Sequence, residues 1–198
     1  MLEQECDKAL VERAVRGDGD SFTELCRRYY GAMVAIGHAI IRDRHLAEDA
    51  AQQAFAKAAV CLPRLRQADQ FGRWVAAICR NEARDLAQAQ RRENKGHSTS
   101  SVSPDGAKGE KTEYPLFPSV VPEPGDSDES VQMVREALGR LPEEAREVIF
   151  LRFYDGLSYD QIAAVLGISE QAINGRLRRA KKQLARYLRR SGFDEVYL

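Results

Sequence analysis

The stretch LSYDQIAAVLGISEQAINGRLRRAKKQL, residues 157–184, contains two apolar helical patterns separated by Gly167. Ser158 followed by Gln161 predicts a capping box at the start of the first helix. Gly167 suits a tight turn, and Ser169 is the type of residue that caps the next helix. The stretch therefore predicts two short helices joined by a tight turn, the arrangement of a helix-turn-helix.

The second helix of this pair has one apolar face and one basic face. At about 100° per residue, four apolar residues share a narrow arc: Ile173, Leu177, Ala180 and Leu184. Residues 171–190 include eight basic residues and no acidic residue. On the opposite side of the helix lie Gln171, Gly175, Arg178, Lys182 and Arg186. Asn174 and Arg179 flank this side.

This outward face is typical of a helix that lies in the major groove of DNA, where amide groups contact base edges and cations neutralise phosphates. Gly175 on this face lowers helix stability by about 1 kcal/mol relative to alanine, which favours a close approach to another molecule. The alternative is a merely solvated basic face. A charge of one sign on a capped helix pair favours the DNA-binding interpretation.

The composition of the 198-residue chain is that of a globular protein. Basic and acidic residues number 30 each, so a net charge of zero conceals the local basic face. The four cysteines form no CxxC pair, which argues against a zinc site and a disulfide scaffold. No apolar run approaches the roughly 20 residues of a spanning helix, so we expect a cytoplasmic protein with no membrane insertion.

The distribution of apolar residues predicts an all-α fold in three segments. Residues 1–93 and 129–198 have a helical period throughout most of their length. Residues 94–128 are rich in Ser, Pro and Gly and have three basic and six acidic residues, so they are predicted to be a flexible acidic linker. The chain is therefore predicted to form two small helical domains joined by a flexible linker.

The C-terminal segment resembles region 4 of the sigma-70 family of transcription initiation factors, in particular its small extracytoplasmic-function group. The resemblance rests on LPEEAREVIFLRFYDGLSYDQIAAVLGISEQAINGRLRRAKKQL, residues 141–184. It implies that the helix from Ser169 binds the minus-thirty-five promoter element. Relatives more often carry lysine and serine where this chain has Asn174 and Gly175. The implied DNA contacts are Ser169, Gln171, Asn174, Gly175, Arg176, Arg178, Arg179 and Lys182.

The N-terminal segment is similar to region 2 of the same family over about its whole length. The motifs AEDAAQQAF (47–55) and FGRWVAAICRN (71–81) stand in the expected order. The helix from Leu46 has a polar side opposite its apolar strip. The resemblance implies that this side docks on core RNA polymerase through Asp49, Gln52 and Gln53. Without the family resemblance, an ordinary solvated helix face would be the simpler interpretation. Relatives commonly carry an acid at the position of Gln53.

Residues 71–92 have a second amphipathic pattern, with Phe71 and Val75 on the apolar side. Trp74 lies close to that side, which favours a place in the core over a role in stacking on a base. Arginines lie in line on the other side, which suits a phosphate backbone. The resemblance implies that this helix and the loop 64–70 hold the minus-ten element as an unwound strand with a flipped base. The implied contacts are Arg73, Arg80, Asn81 and Arg84.

Together these features predict a sigma factor: a non-catalytic subunit that binds core RNA polymerase and directs it to promoter DNA. No catalytic triad, phosphate loop, metal spacing or cofactor motif is present, so we expect no cofactor and no metal. The resemblance also implies an anti-sigma factor as a partner.

Two alternatives remain open from the sequence. A sigma-like mimic would bind an anti-sigma factor without binding DNA, and a repressor would use the helix-turn-helix alone, which leaves the first segment unexplained. For the acidic linker, a path through the polymerase, as in relatives, and a passive tether are both compatible with the sequence.

Overall fold

A computed structural model describes residues 6–96 and 129–191, and it describes the side chains of residues 6–93 and 132–191. Every element in these ranges is helical, so the all-α prediction is confirmed. The predicted linker beyond Gly96 and the tail from residue 192 lie outside the described residues.

The first half of the described chain is a bundle of four long helices. Two short 3₁₀ helices, Leu62–Arg64 and Ala68–Gln70, connect the third helix to the fourth. The four helices are α1 (Asp7–Val15), α2 (Gly19–Ile41), α3 (Arg44–Cys61) and α4 (Phe71–Gly96).

Aspartate side chains determine where two of these helices begin. The Asp18 carboxylate accepts hydrogen bonds from the backbone N–H groups of Asp20 and Ser21 at the start of α2. Asp43 accepts one from the N–H of Leu46 at the start of α3. Since the first N–H groups of a helix have no partner within the helix, these caps stabilise both starts.

The second half of the described chain contains the helix-turn-helix. Its α-helices are α5 (Glu129–Gly139), α6 (Glu143–Ile149), α7 (Tyr159–Leu166) and α8 (Glu170–Arg190). The α6 helix continues as a π-helical segment, Phe150–Tyr154, whose end is marked by a hydrogen bond from the N–H of Asp155 to the carbonyl of Phe150.

Small side chains allow close packing in the first half, while larger aliphatic ones fill the second. Helix α3 buries five alanines against α2 and α4, and Met33 and Phe71 fill the space between the helices. In the second half Leu151, Ile162 and Ile173 are fully buried. The buried side chains of both halves join into one contiguous core.

The two halves pack directly against each other. Helix α6 and the π-helical segment lie against α2, and α7 lies against α4. This packing places the helix-turn-helix beside the helix that was predicted to contact the minus-ten element.

Among the described residues, no helix has the length and apolar character required to cross a membrane.

Candidate nucleic-acid interface

The turn between α7 and α8 forms as the sequence predicts. Ser158 and Gln161 make the reciprocal capping box, in which the N–H of Ser158 donates to Gln161 Oε1 at 2.9 Å. Gly167 ends α7 with φ of 68°, a left-handed conformation that favours glycine. The Ser169 hydroxyl accepts from the N–H of Ala172 at 3.2 Å and caps α8. The helix-turn-helix geometry is therefore present.

Helix α8 presents the two faces predicted for it. Its apolar arc is buried, with Ile173 fully inaccessible. Gly175, on the opposite face, is half-buried. Arg176 is also half-buried but lies to one side of that face, 3.9 Å from the Glu144 carboxylate. The exposed side chains, with Gly175, are defined here as the α8 face: Gln171, Asn174, Gly175, Arg178, Arg179 and Lys182.

The cations of the α8 face have no acidic partner within the described ranges. The ion pairs there involve neither Arg178, Arg179 nor Lys182. A Cβ at Gly175 would meet only guanidinium nitrogens of Arg179, at 3.8 and 3.9 Å, which is ordinary contact. Internal packing therefore does not require glycine at this position, and the face can accept a phosphate-bearing partner.

The face predicted to bind a protein partner lies on α3 and is also open. Asp49, Gln52 and Gln53 are exposed, and we call them the α3 face. Gln52 hydrogen-bonds the phenol of Tyr30, whose pKa is raised by burial and by the nearby Glu48 carboxylate. The opposite side of α3 is packed in the core, so the helix is fixed while its polar face remains accessible.

The arginines of α4 do not form one continuous outward stripe. Arg80 is half-buried and makes a two-point ion pair with Glu147 of α6, with Nε 2.7 Å from Oε1. Arg84 donates to the Glu143 carboxylate at 2.8 Å. The outward pattern is interrupted because two acids of α6 pair with these arginines. We call Arg80 and Arg84 the α4 arginines; their assignment to DNA stays a prediction.

Arg73 lies at the contact between the halves. A Cβ at Gly167, in the turn before α8, would lie 2.5 Å from Arg73 Nε, so the arginine passes directly over the turn. Asn81 is exposed on α4. The four residues predicted for the minus-ten element thus lie on one helix, but three of them contact or approach the second half.

An open cleft of about 400 Å³ lies between the loop after α3 and the start of α4. It coincides with the loop that was predicted to surround a flipped base. The residues that line it are Leu65, Arg66, Gln67, Gln70, Arg73, Trp74 and Ala77.

Sequence reasoning missed part of this site. Trp74 was predicted to lie in the core, whereas it is half-buried: its ring packs on Phe71, with centroids 5.9 Å apart, and also lines the cleft. The position of Trp74 at the edge of the apolar arc of α4 was the sequence feature that could have indicated its partial exposure. The acids Glu143 and Glu147 were not foreseen as partners of α4, and no local pattern points to them.

Comparisons with known proteins extend over both halves of the chain. Residues 25–93 match the family model for Sigma-70 region 2, and residues 131–184 match the model for Sigma-70, region 4. The RNA polymerase sigma-H factor of Pseudomonas aeruginosa is 31% identical over 189 residues, which cover 95% of this chain and 96% of that protein. The ECF RNA polymerase sigma-E factor of Escherichia coli (strain K12) is 30% identical over 187 residues, with 93% and 95% covered.

Among solved structures, CnrH in complex with the cytosolic domain of CnrY is similar with a TM-score of 0.59 and 26% identity, and the match covers 93% of this chain and 97% of that one. The chain therefore belongs to the sigma-70 family, and within it to the extracytoplasmic-function group. This confirms the resemblance inferred from the motifs.

Proposed function

We propose that the chain binds core RNA polymerase and directs it to promoters by contacting two DNA elements. Residues 1–93 would hold polymerase and the minus-ten element, residues 129–198 the minus-thirty-five element, and residues 94–128 would link them. One observation carries the proposal: a family member has a capped helix-turn-helix with a basic face whose cations pair with no acid in the described part of the chain, together with an open polar face on α3.

The α8 face fits the major groove of duplex DNA. The amides of Gln171 and Asn174 lie near the N-terminus of α8, where a recognition helix contacts base edges. Gly175 has no Cβ, so the helix backbone can approach the bases closely. Further along, three cations can neutralise phosphates, and Ser169 and Arg176 flank the contact. This division assigns sequence preference to the first two turns of α8 and affinity to the later turns.

The cleft beside α4 fits an unwound strand. Drug-sized ligands fill pockets of about 300–1,000 Å³, so a cleft of about 400 Å³ has room for the much smaller nucleobase. Trp74 offers an aromatic surface for stacking, and Gln67 and Gln70 offer amides to a base edge. Arg73, Arg80, Asn81 and Arg84 would then follow the strand along α4.

The α3 face is proposed to contact the polymerase clamp. Its one carboxylate, on Asp49, and its two amides on Gln52 and Gln53 form a compact polar patch, which suits a polar partner helix with cationic groups. The chain itself would carry no catalytic chemistry, because polymerase supplies nucleotide addition. Since polymerase and DNA share the cytoplasm, the proposal also locates the chain there.

An anti-sigma factor is proposed as a further partner. The similar solved structure holds CnrH together with the cytosolic domain of CnrY, so a relative of comparable size forms a complex with a second protein. The proposal for this chain is a cytosolic protein domain that competes with polymerase or DNA for the faces described above.

Run-off transcription tests the proposed function. Purified chain added to sigma-free core polymerase should give transcripts of defined length from a subset of genomic promoter fragments. Asp49→Lys should abolish this activity by reversing a charge on the α3 face. Glu12→Lys on α1, an exposed position, makes the same change of charge and should have no effect.

An absence of defined transcripts across the genomic fragments would refute the proposal. The sigma-like mimic would instead show complex formation with an anti-sigma factor and a DNA gel shift that is unchanged by Arg178→Glu with Lys182→Glu.

A further inference from the structure

Helix α6 is anchored on the first half by a buried cation. Arg146 is 8% exposed, and its Nε donates to the carbonyl of Ala39 on α2 at 2.6 Å, while another nitrogen donates to the carbonyl of Leu141. Burial and the nearby Arg42 guanidinium lower the pKa of Arg146. The ring of His38 on α2 packs edge-on against Phe150 with centroids 4.8 Å apart. Polar and aromatic groups of both halves therefore fix α6 in place.

The acids of α6 occupy the α4 arginines. Glu147 is 4% exposed and pairs with Arg80 through both carboxylate oxygens, at 2.7 and 3.4 Å. Glu143, one turn earlier, pairs with Arg84. A carboxylate matches a guanidinium with the same planar, two-oxygen geometry that a phosphate offers. The α6 acids thus take the positions that backbone phosphates would need.

A close backbone approach completes the contact. The Asp155 carboxylate, just after the π-helical segment, packs on Gly31 of α2, where any Cβ would overlap Asp155 Oδ1 and lie 3.0 Å from its Cγ. A side chain at position 31 would therefore force the Asp155 carboxylate to move. Burial raises the pKa of Asp155, as expected for a carboxylate held against another helix.

The same packing leaves the other functional faces open. The α3 face is exposed, and the cations of the α8 face have no acidic partner among the described residues. Contact between the halves therefore pairs the α4 arginines with carboxylates and brings Arg73 against the turn at Gly167.

We propose that this packing is a closed state in which α6 competes with the minus-ten strand for Arg80 and Arg84. The inference rests on the proposed function, because it takes these arginines to be DNA contacts. In the closed state the chain can engage polymerase through the α3 face, while the minus-ten strand is excluded until the two halves separate. The two acids of α6 act as an internal substitute for DNA.

A reversible cross-link tests whether closure excludes the strand. In Asp155→Cys the sulfur takes the place of the Asp155 Cγ. That atom lies 3.0 Å from the Cβ that a residue at position 31 would have. About 3 Å separates a Cβ from the far sulfur of a disulfide whose S–S bond is near 2.05 Å. The double variant Gly31→Cys with Asp155→Cys should therefore form a disulfide on oxidation, with loss of two thiol protons and two electrons to added oxidised glutathione.

The probe is fluorescent oligothymidylate of about 20 nucleotides, which reports phosphate contacts without requiring a promoter sequence. The oxidised variant should bind roughly tenfold more weakly than the same protein after reduction. The slope of log affinity against log salt should fall in magnitude by about 1.4, since each single-strand phosphate contact contributes about 0.7 and two are lost. Each single cysteine variant, treated identically, should show neither change.

A second variant opens the contact without a cross-link. Gly31→Ala places a methyl group against Asp155, whereas Gly19→Ala, in the same helix, meets no atom within 4 Å and serves as the matched control. If the closed form holds about nine-tenths of the molecules, Gly31→Ala should strengthen oligothymidylate binding about tenfold. It should also increase the radius of gyration in solution scattering relative to Gly19→Ala.

Equal affinities and salt slopes for the oxidised and reduced forms would overturn the proposal, as would a folded double variant that does not cross-link. Identical behaviour of Gly31→Ala and Gly19→Ala would do the same. A reduced protein that binds the oligothymidylate but never supports promoter-specific run-off would instead refute the proposed function, so the two failures are distinguishable.

Discussion

The α8 face and the α4 arginines are both basic helix surfaces, but their surroundings differ. The cations of the α8 face, Arg178, Arg179 and Lys182, are exposed, and no acid among the described residues pairs with them. On α4 the cations are paired with Glu143 and Glu147 of the other half. On the proposed function, the α8 face could bind DNA without breaking an ion pair among the described residues, whereas the α4 arginines would have to exchange one anionic partner for another.

Because of this difference, mutations on the two helices should affect the stability of the fold and the affinity for DNA to different degrees. Since no ion pair among the described residues involves Arg178 or Lys182, substitutions there should alter DNA affinity and leave the fold intact. Substitution of Arg80 changes both, because its loss leaves the Glu147 carboxylate buried without its cation. The same kind of mutation should therefore change DNA affinity alone on α8, but both affinity and stability on α4.

The largest effect is expected from charge reversal on the α8 face. Arg178→Glu with Lys182→Glu should weaken binding of reconstituted holoenzyme to an active promoter fragment roughly thousandfold, because two phosphate contacts become repulsive. Fluorescence anisotropy of labelled promoter DNA measures the affinity. Lys8→Glu with Arg16→Glu on α1 makes the same change in net charge at exposed positions and should have little effect. Equal losses in both double variants would show that α8 has no specific role.

The next largest effect is expected on the closed state when one of the two α4 arginines is replaced, and the two replacements should differ. Arg80→Leu leaves the Glu147 carboxylate buried and unpaired in the closed state, which costs about 3 kcal/mol. A protein that is nine-tenths closed favours the closed state by only roughly 1.4 kcal/mol, so this variant should open. The Arg84 pair is half-exposed and is worth less than about 1 kcal/mol, so Arg84→Leu should leave the protein mostly closed. Solution scattering measures the radius of gyration of both.

A double variant provides the control for this comparison. Arg80→Leu with Glu147→Leu removes the buried charge and replaces the ion pair by apolar contact, which is often neutral or stabilising, so the protein should close again. An unchanged radius of gyration in Arg80→Leu would contradict the closed state as described.

A smaller effect concerns which bases α8 contacts. Asn174→Lys with Gly175→Ser should shift promoter preference about tenfold at the affected base pairs, since a good side-chain contact is worth about 1–3 kcal/mol of discrimination. Sequencing of promoters selected by holoenzyme from a randomised library measures the preference. Gln183→Lys adds a cation at an exposed position on a different side of α8 and should leave the preference unchanged. Unaltered selection by the first variant would place base recognition elsewhere.

Local patterns sufficed to predict the α8 face. Ser158, Gly167 and Ser169 act within a few residues of their partners, and the apolar period of α8 determines which side is buried. The partner of Arg80 could not be predicted in this way, because Glu147 is 67 residues away and belongs to the other half. Periodicity identifies the polar side of a helix but does not reveal which other element covers it.

The smallest expected effect is a pH dependence of closure. The pKa of Asp155 is raised by burial in the closed packing, so closure is favoured at and below its ordinary pKa and weakened as the pH rises through the raised value. Asp155→Asn should therefore be more closed than the wild type at neutral pH. The two should converge in solution scattering as the pH falls toward 3.8, the ordinary pKa of the group. A constant difference at every pH would exclude a contribution from this carboxylate.

The proposed role of the two halves, to direct polymerase to promoters, can be tested in cells. Transcript starts would be mapped in native-host cells that overproduce the wild-type chain, with the Arg178→Glu and Lys182→Glu double variant in parallel. We expect a set of new starts preceded by two shared sequence elements at constant spacing, and their loss in the variant. New starts without a shared upstream element, starts that persist in the variant, or no new starts at all would contradict it.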